Sequence, residues 1–254
     1  VAPSPTSDLY DAIAPIYDEW QSWQRMMPFA RVAAEKLAPT LDRHAETIAR
    51  PALLDIGCGT GTMLAHLRKT HPTWRLAGID ASAGMLARAR AKRPEADAVT
   101  WARGTLGGPL PFVPAFDVCT SFYDTLNHLP DVAALAGTFA AAAAVLRPGG
   151  LLVFDVTSRR GFEHWWQGRA IFTGDGWRML LDADFDPTRE LATGEVTFDR
   201  GGITRRFQIH ERYFAREEIV AALAGSGFDL EQEEPWDPFP VGGLGKTWWA
   251  ARLR

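Results

Sequence analysis

Apolar residues return every three or four positions from Asp8 to about Leu41: Leu9, Ile13 and Ile16, then Phe29, Val32, Ala33 and Leu37. That spacing predicts helices with one apolar stripe, which Pro15 and Pro28 divide into short lengths. At Ala52 the period changes. A short apolar run, Ala52 to Ile56, ends in Gly57-Cys58-Gly59-Thr60-Gly61, and Met63, Leu64 and Leu67 follow at helical spacing, so this stretch reads as strand, tight turn and helix. Strands are expected again at Leu76–Ile79, Ala98–Ala102, Phe116–Ser121 and Leu151–Val156, with helices at Ser82–Arg93 and Asp131–Leu146 between them. Ser82 and Asp131 supply N-caps, and Pro148-Gly149-Gly150 stops the second helix.

Beyond Ser158 the pattern switches to alternation of apolar and polar residues over Trp177–Phe185, Glu190–Phe198 and Ile203–Phe214, separated by Asp186-Pro187-Thr188 and Arg200-Gly201-Gly202. That is the period of an antiparallel meander. A helix at Arg216–Ala224 ends at Gly225-Ser226-Gly227, and strands at Phe228–Glu234 and Thr247–Leu253 finish the chain. The fold class is therefore α/β: a mostly parallel seven-stranded sheet with helices on both faces and an antiparallel β insertion after the fifth strand.

Composition narrows the partners. The 254 residues suffice for one large α/β domain, and no apolar run approaches the ~20 residues that span a bilayer. Val1 to Ser7 lacks the basic and apolar regions of a secretory signal, and the two cysteines, Cys58 and Cys119, suit a reducing compartment, so a cytoplasmic protein away from membranes is expected. No metal-ligand spacing is present. The net charge of -4 argues against a nucleic-acid partner, which calls for a basic face. Ten tryptophans offer rigid walls for a pocket as well as bulk for a core.

The chemistry centres on the first turn, Leu53-Leu54-Asp55-Ile56-Gly57-Cys58-Gly59-Thr60-Gly61. In an open parallel sheet, the turn after the first strand meets the ligand, and glycines let it approach without a Cβ in the way. A dinucleotide fingerprint places glycines at positions one, three and six, whereas here they fall at one, three and five. Asp55 lies inside the first strand and Asp80 ends the second, where a carboxylate can hold both ribose hydroxyls. This combination resembles the class I, Rossmann-like S-adenosylmethionine-dependent methyltransferases of small-molecule type. The resemblance extends to Gly78-Ile79-Asp80-Ala81-Ser82 with Met85 and Leu86, to Leu146-Arg147-Pro148-Gly149-Gly150-Leu151, and to the paired Tyr10-Asp11 and Tyr17-Asp18. It implies S-adenosylmethionine as cofactor, S-adenosylhomocysteine as product, and contacts from Tyr10, Tyr17, Asp55, Gly57, Cys58, Gly59, Asp80, Ala81, Met85, Phe122 and Tyr123. After the third strand the family often has Gly-Asp for the adenine amino group, but this chain has Gly104, Thr105 and Leu106, leaving the Thr105 hydroxyl or backbone groups to serve.

The resemblance also implies three parts: residues 1–45 an N-terminal helical lid, 46–158 with 214–254 the cofactor-binding core, and 159–213 an insertion covering the substrate site. The acceptor is expected at the end of the fourth strand, beside Asp124, Asn127 and His128, with Trp165, Trp177, Arg178 and His210 of the insertion as further walls. His128 is the candidate general base, since an imidazole titrates near neutrality, and Tyr17 is a second catalytic candidate; His128 capping or packing a loop is the plain alternative. The function so implied is methyl transfer to nitrogen or oxygen of a small molecule in bacterial specialised metabolism, by a monomer or homodimer. A nicotinamide-dependent oxidoreductase and a non-catalytic cofactor-binding protein are the alternatives.

Overall fold

The computed structural model describes residues 6–23, 29–92, 99–236 and 245–254. Pro28, Arg93 and Ala98, which bound three of the expected elements, lie outside them. Helices α1 (Thr6–Ile13), α2 (Tyr17–Trp23) and α3 (Phe29–Ala45) precede the alternating region. That region runs β1 (Ala52–Ile56), α4 (Thr62–Thr70), β2 (Arg75–Asp80), α5 (Ala83–Ala91), β3 (Val99–Arg103), β4 (Phe116–Ser121), α6 (Val132–Val145) and β5 (Leu146–Thr157). Then come α7 (Arg159–Trp165), β6 (Gly168–Gly174), β7 (Trp177–Asp186), β8 (Leu191–Arg200), β9 (Ile203–Arg212), α8 (Arg216–Gly225), β10 (Phe228–Trp236) and β11 (Lys246–Leu253).

Seven strands form one sheet in the order β10-β11-β5-β4-β1-β2-β3. Strands β1 to β5 pair in parallel, and β11 runs antiparallel between β5 and β10. Strands β1 and β4 are buried along their whole length, as expected of central parallel strands covered on both faces. Successive side chains of β1 divide between two cores: Leu54 and Ile56 meet Phe139 of α6 and Leu223 of α8, while Leu53 meets Leu37 of α3 and Leu64 and Leu67 of α4. The chain winds outward from β1 in one direction and from β4 in the other, so the order reverses between them. A crevice opens there beyond the strands' carboxyl ends.

The insertion is a separate antiparallel sheet, ordered β6-β7-β8-β9. Its inner face, with Trp177, Met179, Val196, Phe198 and Phe207, packs on Leu9, Ile13 and Ile16 and on Met85 of α5. Helix α1 is thus held between the inserted sheet and the main domain, and its three-and-four spacing is explained by that double burial. The expected caps form: Ser82 Oγ accepts from Met85 N at 3.0 Å and Asp131 Oδ1 from Ala134 N at 2.8 Å.

Three elements depart from the sequence reading. The meander has a fourth strand, β6, and is preceded by α7, whose N-cap Ser158 accepts from Gly161 N at 3.1 Å. Strand β5 begins at Leu146, five residues before the expected Leu151, because Leu146 already pairs with Phe116; the pairing then shifts register across Pro148-Gly149-Gly150.

Candidate active site

The crevice at the reversal holds two adjoining lobes of about 310 and about 360 Å³. Tyr17, Gly57, Gly59, Phe122 and Tyr123 line both and form the waist between them. The first lobe continues past Asp80, Ala81, Met85, Gly104, Thr105 and Leu106 and also meets Tyr10 and His128. The second is lined by Asp55 and Cys58, with Asp18, Gln21 and Lys92. Every residue expected at a cofactor therefore borders one of two adjoining spaces, although they come from α1, α2, α5 and the carboxyl ends of β1, β2, β3 and β4.

The glycine turn is shaped by close approach. Gly57 and Gly59 have φ of 75° and 52°, a region that side-chain-bearing residues adopt only at a cost. A Cβ on Gly57 would run into the Thr125 side chain, whereas one on Gly59 would meet nothing within 4 Å. Gly59 thus presents bare backbone to open space in both lobes. Asp80 stands across from it, with Oδ2 accepting from Gly59 N and Oδ1 from Ser82 N, each at 2.8 Å. Burial raises its carboxyl pKa while these two N–H groups lower it. An open glycine cradle facing a fixed carboxylate, with an apolar wall at Ile79, Met85 and Leu106, fits a nucleoside. Asp55 is different: buried and bonded by the Thr120 hydroxyl at 2.8 Å, its carboxyl is pushed up to about 7 by desolvation.

The paired Tyr-Asp elements divide their work. Tyr10 and Tyr17 face the cavity with ring centroids 6.3 Å apart. Asp11 fastens α1 to the start of α5, accepting from Ser82 Oγ at 2.5 Å and Gly84 N at 2.7 Å. Asp18 fastens α2 to the glycine loop, accepting from Thr60 Oγ1 at 2.7 Å and pairing with Lys92 at 2.7 Å.

Beyond β4 the backbone is strained. Tyr123 and Asp124 have φ of 62° and 61°, a conformation costing roughly 1–3 kcal/mol at each non-glycine residue unless neighbours impose it. Here they do: both N–H groups point to the Asp155 carboxylate at 3.3 Å, and the Asp124 carboxylate takes the Lys246 ammonium and the Thr157 hydroxyl. Gln21 Nε2 donates to the Tyr123 hydroxyl at 2.7 Å. Lys246 is 2% exposed; burial lowers its pKa, but Asp124 and Asp155 outweigh this and hold the ammonium charged.

His128 sits in the 3₁₀ turn Thr125–His128. Its Nδ1 lies 3.3 Å from the carbonyl of His210; a carbonyl only accepts, so Nδ1 carries the proton and Nε2 its lone pair. The Tyr10 hydroxyl donates to Nε2 at 2.9 Å. Burial lowers the imidazole's pKa, which leaves Nε2 able to take a proton at neutral pH.

Several expected acceptor contacts lie elsewhere. Asn127 is fully buried and structural, donating to Arg212 O at 2.8 Å and accepting from Thr157 N at 2.9 Å. Asp124 is engaged by Lys246 rather than lining either lobe. Trp177 belongs to the core beneath α1. Arg178 and His210 project from the opposite, exposed face of the inserted sheet, as strand alternation from Trp177 and Phe207 requires. Trp165 is 38% exposed and lies against Gly245. Conversely, Lys246, Asp155 and Glu211 escaped the sequence reading. Asp155 and Glu211 each place a charge where the pattern calls for an apolar residue, which was the available signal, whereas Lys246 precedes the expected strand and gave none.

A family model described as a methyltransferase domain matches residues 53–150. The dTDP-3-amino-3,6-dideoxy-alpha-D-glucopyranose N,N-dimethyltransferase of Streptomyces fradiae is 30% identical over 246 residues, covering 89% of this chain and 88% of that enzyme. A methyltransferase of Geobacillus sp. (strain WCH70) is 33% identical over 163 residues, and there the match spans 63% of this chain but only 58% of the relative. Among solved structures, the S-adenosylmethionine-bound amino pentose methyltransferase of calicheamicin biosynthesis from Micromonospora echinaspora superposes with a TM-score of 0.60 at 25% identity. The superposition covers 87% of this chain and 91% of that one.

Proposed function

The chain belongs to the Rossmann-like S-adenosylmethionine-dependent methyltransferases, and from that premise we propose that it methylates a nitrogen atom of a small polar molecule, an amino sugar being the best-supported class, in specialised metabolism. One observation carries the reading: the waist formed by Tyr17, Gly57, Gly59, Phe122 and Tyr123 opens into a lobe that Asp80 shares with His128 and Tyr10, so a carboxylate for a sugar and an imidazole for a proton border one space. S-adenosylmethionine, when bound, supplies a methyl group activated by a positively charged sulfur.

The chain's own groups then have separable tasks. Asp80 accepts from the ribose hydroxyls, Gly57 and Gly59 leave room for the backbone to approach, and Met85 and Leu106 flank the adenine. Tyr10 and Tyr17 close the cavity against water, and positioning of this kind is worth about 7–11 kcal/mol in well-oriented systems. His128 Nε2 receives the proton that the acceptor loses. Support for nitrogen comes from two sources: the Streptomyces fradiae relative acts on an amino sugar, and His128 borders the cavity with an Nε2 lone pair able to take the proton that a methylated amine sheds.

The test is incubation with S-adenosylmethionine and a dTDP-linked 3-amino sugar, followed by mass spectrometry. The reading expects S-adenosylhomocysteine together with a product heavier by one or two methylene units. S-adenosylhomocysteine formed with hydroxyl sugars but none with amino sugars would refute the nitrogen assignment.

A further inference from the structure

Glu211 lies on β9, on the face that Phe207 turns toward α1. It is 6% exposed, and its Oε2 is buried without a hydrogen-bond partner among the described residues. Its Oε1 lies 3.7 Å from His128 Nε2, the atom that also receives the Tyr10 hydroxyl. Titratable groups surround it from five sides of the fold: Tyr10 of α1, Tyr123 and Asp124 after β4, His128 of the 3₁₀ turn, Asp155 of β5 and Lys246 of β11, while its strand neighbour on β8 is Ala192. Three carboxyl groups thus share one ammonium, which Asp124 already engages. Burial first, then Asp124, holds the Glu211 carboxyl well above the ordinary carboxylate range. An orphaned buried carboxyl is costly to keep ionised, so it retains a proton until a positive charge arrives.

The cavity that His128 borders is where that charge enters. We propose that Glu211 is the proton store of the reaction: it releases a proton when the positively charged cofactor fills the cavity and takes one back, through His128, from the methylated acceptor. The inference rests on the reading that the cavity binds S-adenosylmethionine and that His128 meets the acceptor. The balance closes. Transfer forms an N–CH3 bond and breaks an S–CH3 bond, moving the positive charge from sulfur to nitrogen. The new ammonium passes its proton to His128 Nε2, and the imidazolium passes it to the Glu211 carboxylate. A neutral amine and a neutral thioether then face a neutral acid, and Glu211 acts through His128 without touching either.

S-adenosylmethionine and S-adenosylhomocysteine differ by the sulfur charge, so titration calorimetry of both, in two buffers of different ionisation enthalpy near neutral pH, isolates the effect. Wild-type protein should release about half a proton or more in excess on binding S-adenosylmethionine. Glu211→Gln should abolish that excess while keeping S-adenosylhomocysteine affinity within about threefold, since glutamine fills the same space. Equal proton release for both ligands in the wild type, or an excess that survives in Glu211→Gln, overturns the proposal. Should the variant fail to fold, Asp55→Asn protein decides in its place, since Asp55 is the carboxyl raised to about 7 that itself lines the cavity: infrared absorption by protonated carboxyl must fall on adding S-adenosylmethionine and hold with S-adenosylhomocysteine. A band indifferent to both overturns it. If neither ligand binds, the cofactor reading itself fails, which is a different outcome from two ligands binding with the same proton count.

Discussion

Asp55 and Asp80 stand at the ends of neighbouring strands, yet their surroundings give them different states. Asp80 has two backbone donors, whereas Asp55 has one hydroxyl and a carboxyl carried up to about 7. A folded-state pKa above the unfolded one means the native protein binds the extra proton, so this contribution to stability is complete below about pH 4 and is lost as pH rises through about 7. Ionised Asp55 costs the fold up to about 4 kcal/mol at pH 8. Asp55→Asn is therefore expected to melt higher than the wild type at pH 8, by a margin that narrows through pH 5 and closes near pH 4. Asp80→Ala should weaken S-adenosylmethionine binding about 100-fold, because it removes a charged acceptor and frees two N–H groups of the cradle. Both aspartates were legible in the sequence, since each interrupts an apolar strand beside glycines. Asp155 and Glu211 interrupt apolar strand positions and Lys246 opens a strand, but their meeting was not legible: they come from β5, β9 and β11, and only the tertiary fold unites them around Asp124 and His128.

Among the elements, the strand-turn-helix of β1 and α4 was the plainest in the sequence, because a buried parallel strand is a continuous apolar run and the glycines fix the turn. Gly57→Ala tests that turn: its Cβ would strike Thr125 at a positive φ, so a loss of about 2–3 kcal/mol in stability and of most cofactor affinity is expected in thermal melts and calorimetry. Strand β6 was not legible, and the reason is physical. As an edge strand it alternates exposed and half-buried positions, with Ile171 50% exposed, and gives no apolar face to read. Helix α7 is seven residues long, too short for a helical period. Helix α1 was legible from its spacing; α2, as short as α7, lay only within the helical stretch that the prolines divide, and the fastening of both by Asp11 and Asp18 was not legible. Asp11→Ala combined with Asp18→Ala should leave the main sheet intact while amide exchange in α1 and α2 speeds up about tenfold or more.

Over the whole molecule, the inserted sheet and the N-terminal helix share one apolar core with Met85, which lines the cavity. Removing the insertion would strip Leu9, Ile13 and Ile16 of their cover, so a chain lacking residues 168–212 is expected to lose α1 protection and cofactor affinity together. Sequence alone suggests an insertion that serves only the acceptor; the shared core makes it a support of the cofactor side as well. The fold class followed from periodicity because each layer of an α/β domain imposes its own period. The acceptor wall did not, because alternation in β7 and β9 was read without knowing which face turns inward, and Arg178 and His210 face away. The central claim is that the two lobes joined at Gly57 and Gly59, with Asp80 beside them, form the S-adenosylmethionine site. Titration of S-adenosylmethionine into the intact protein tests it most directly: saturable one-to-one binding that Asp80→Ala weakens about 100-fold is predicted, and an affinity indifferent to that substitution, or no saturable binding at all, would contradict it.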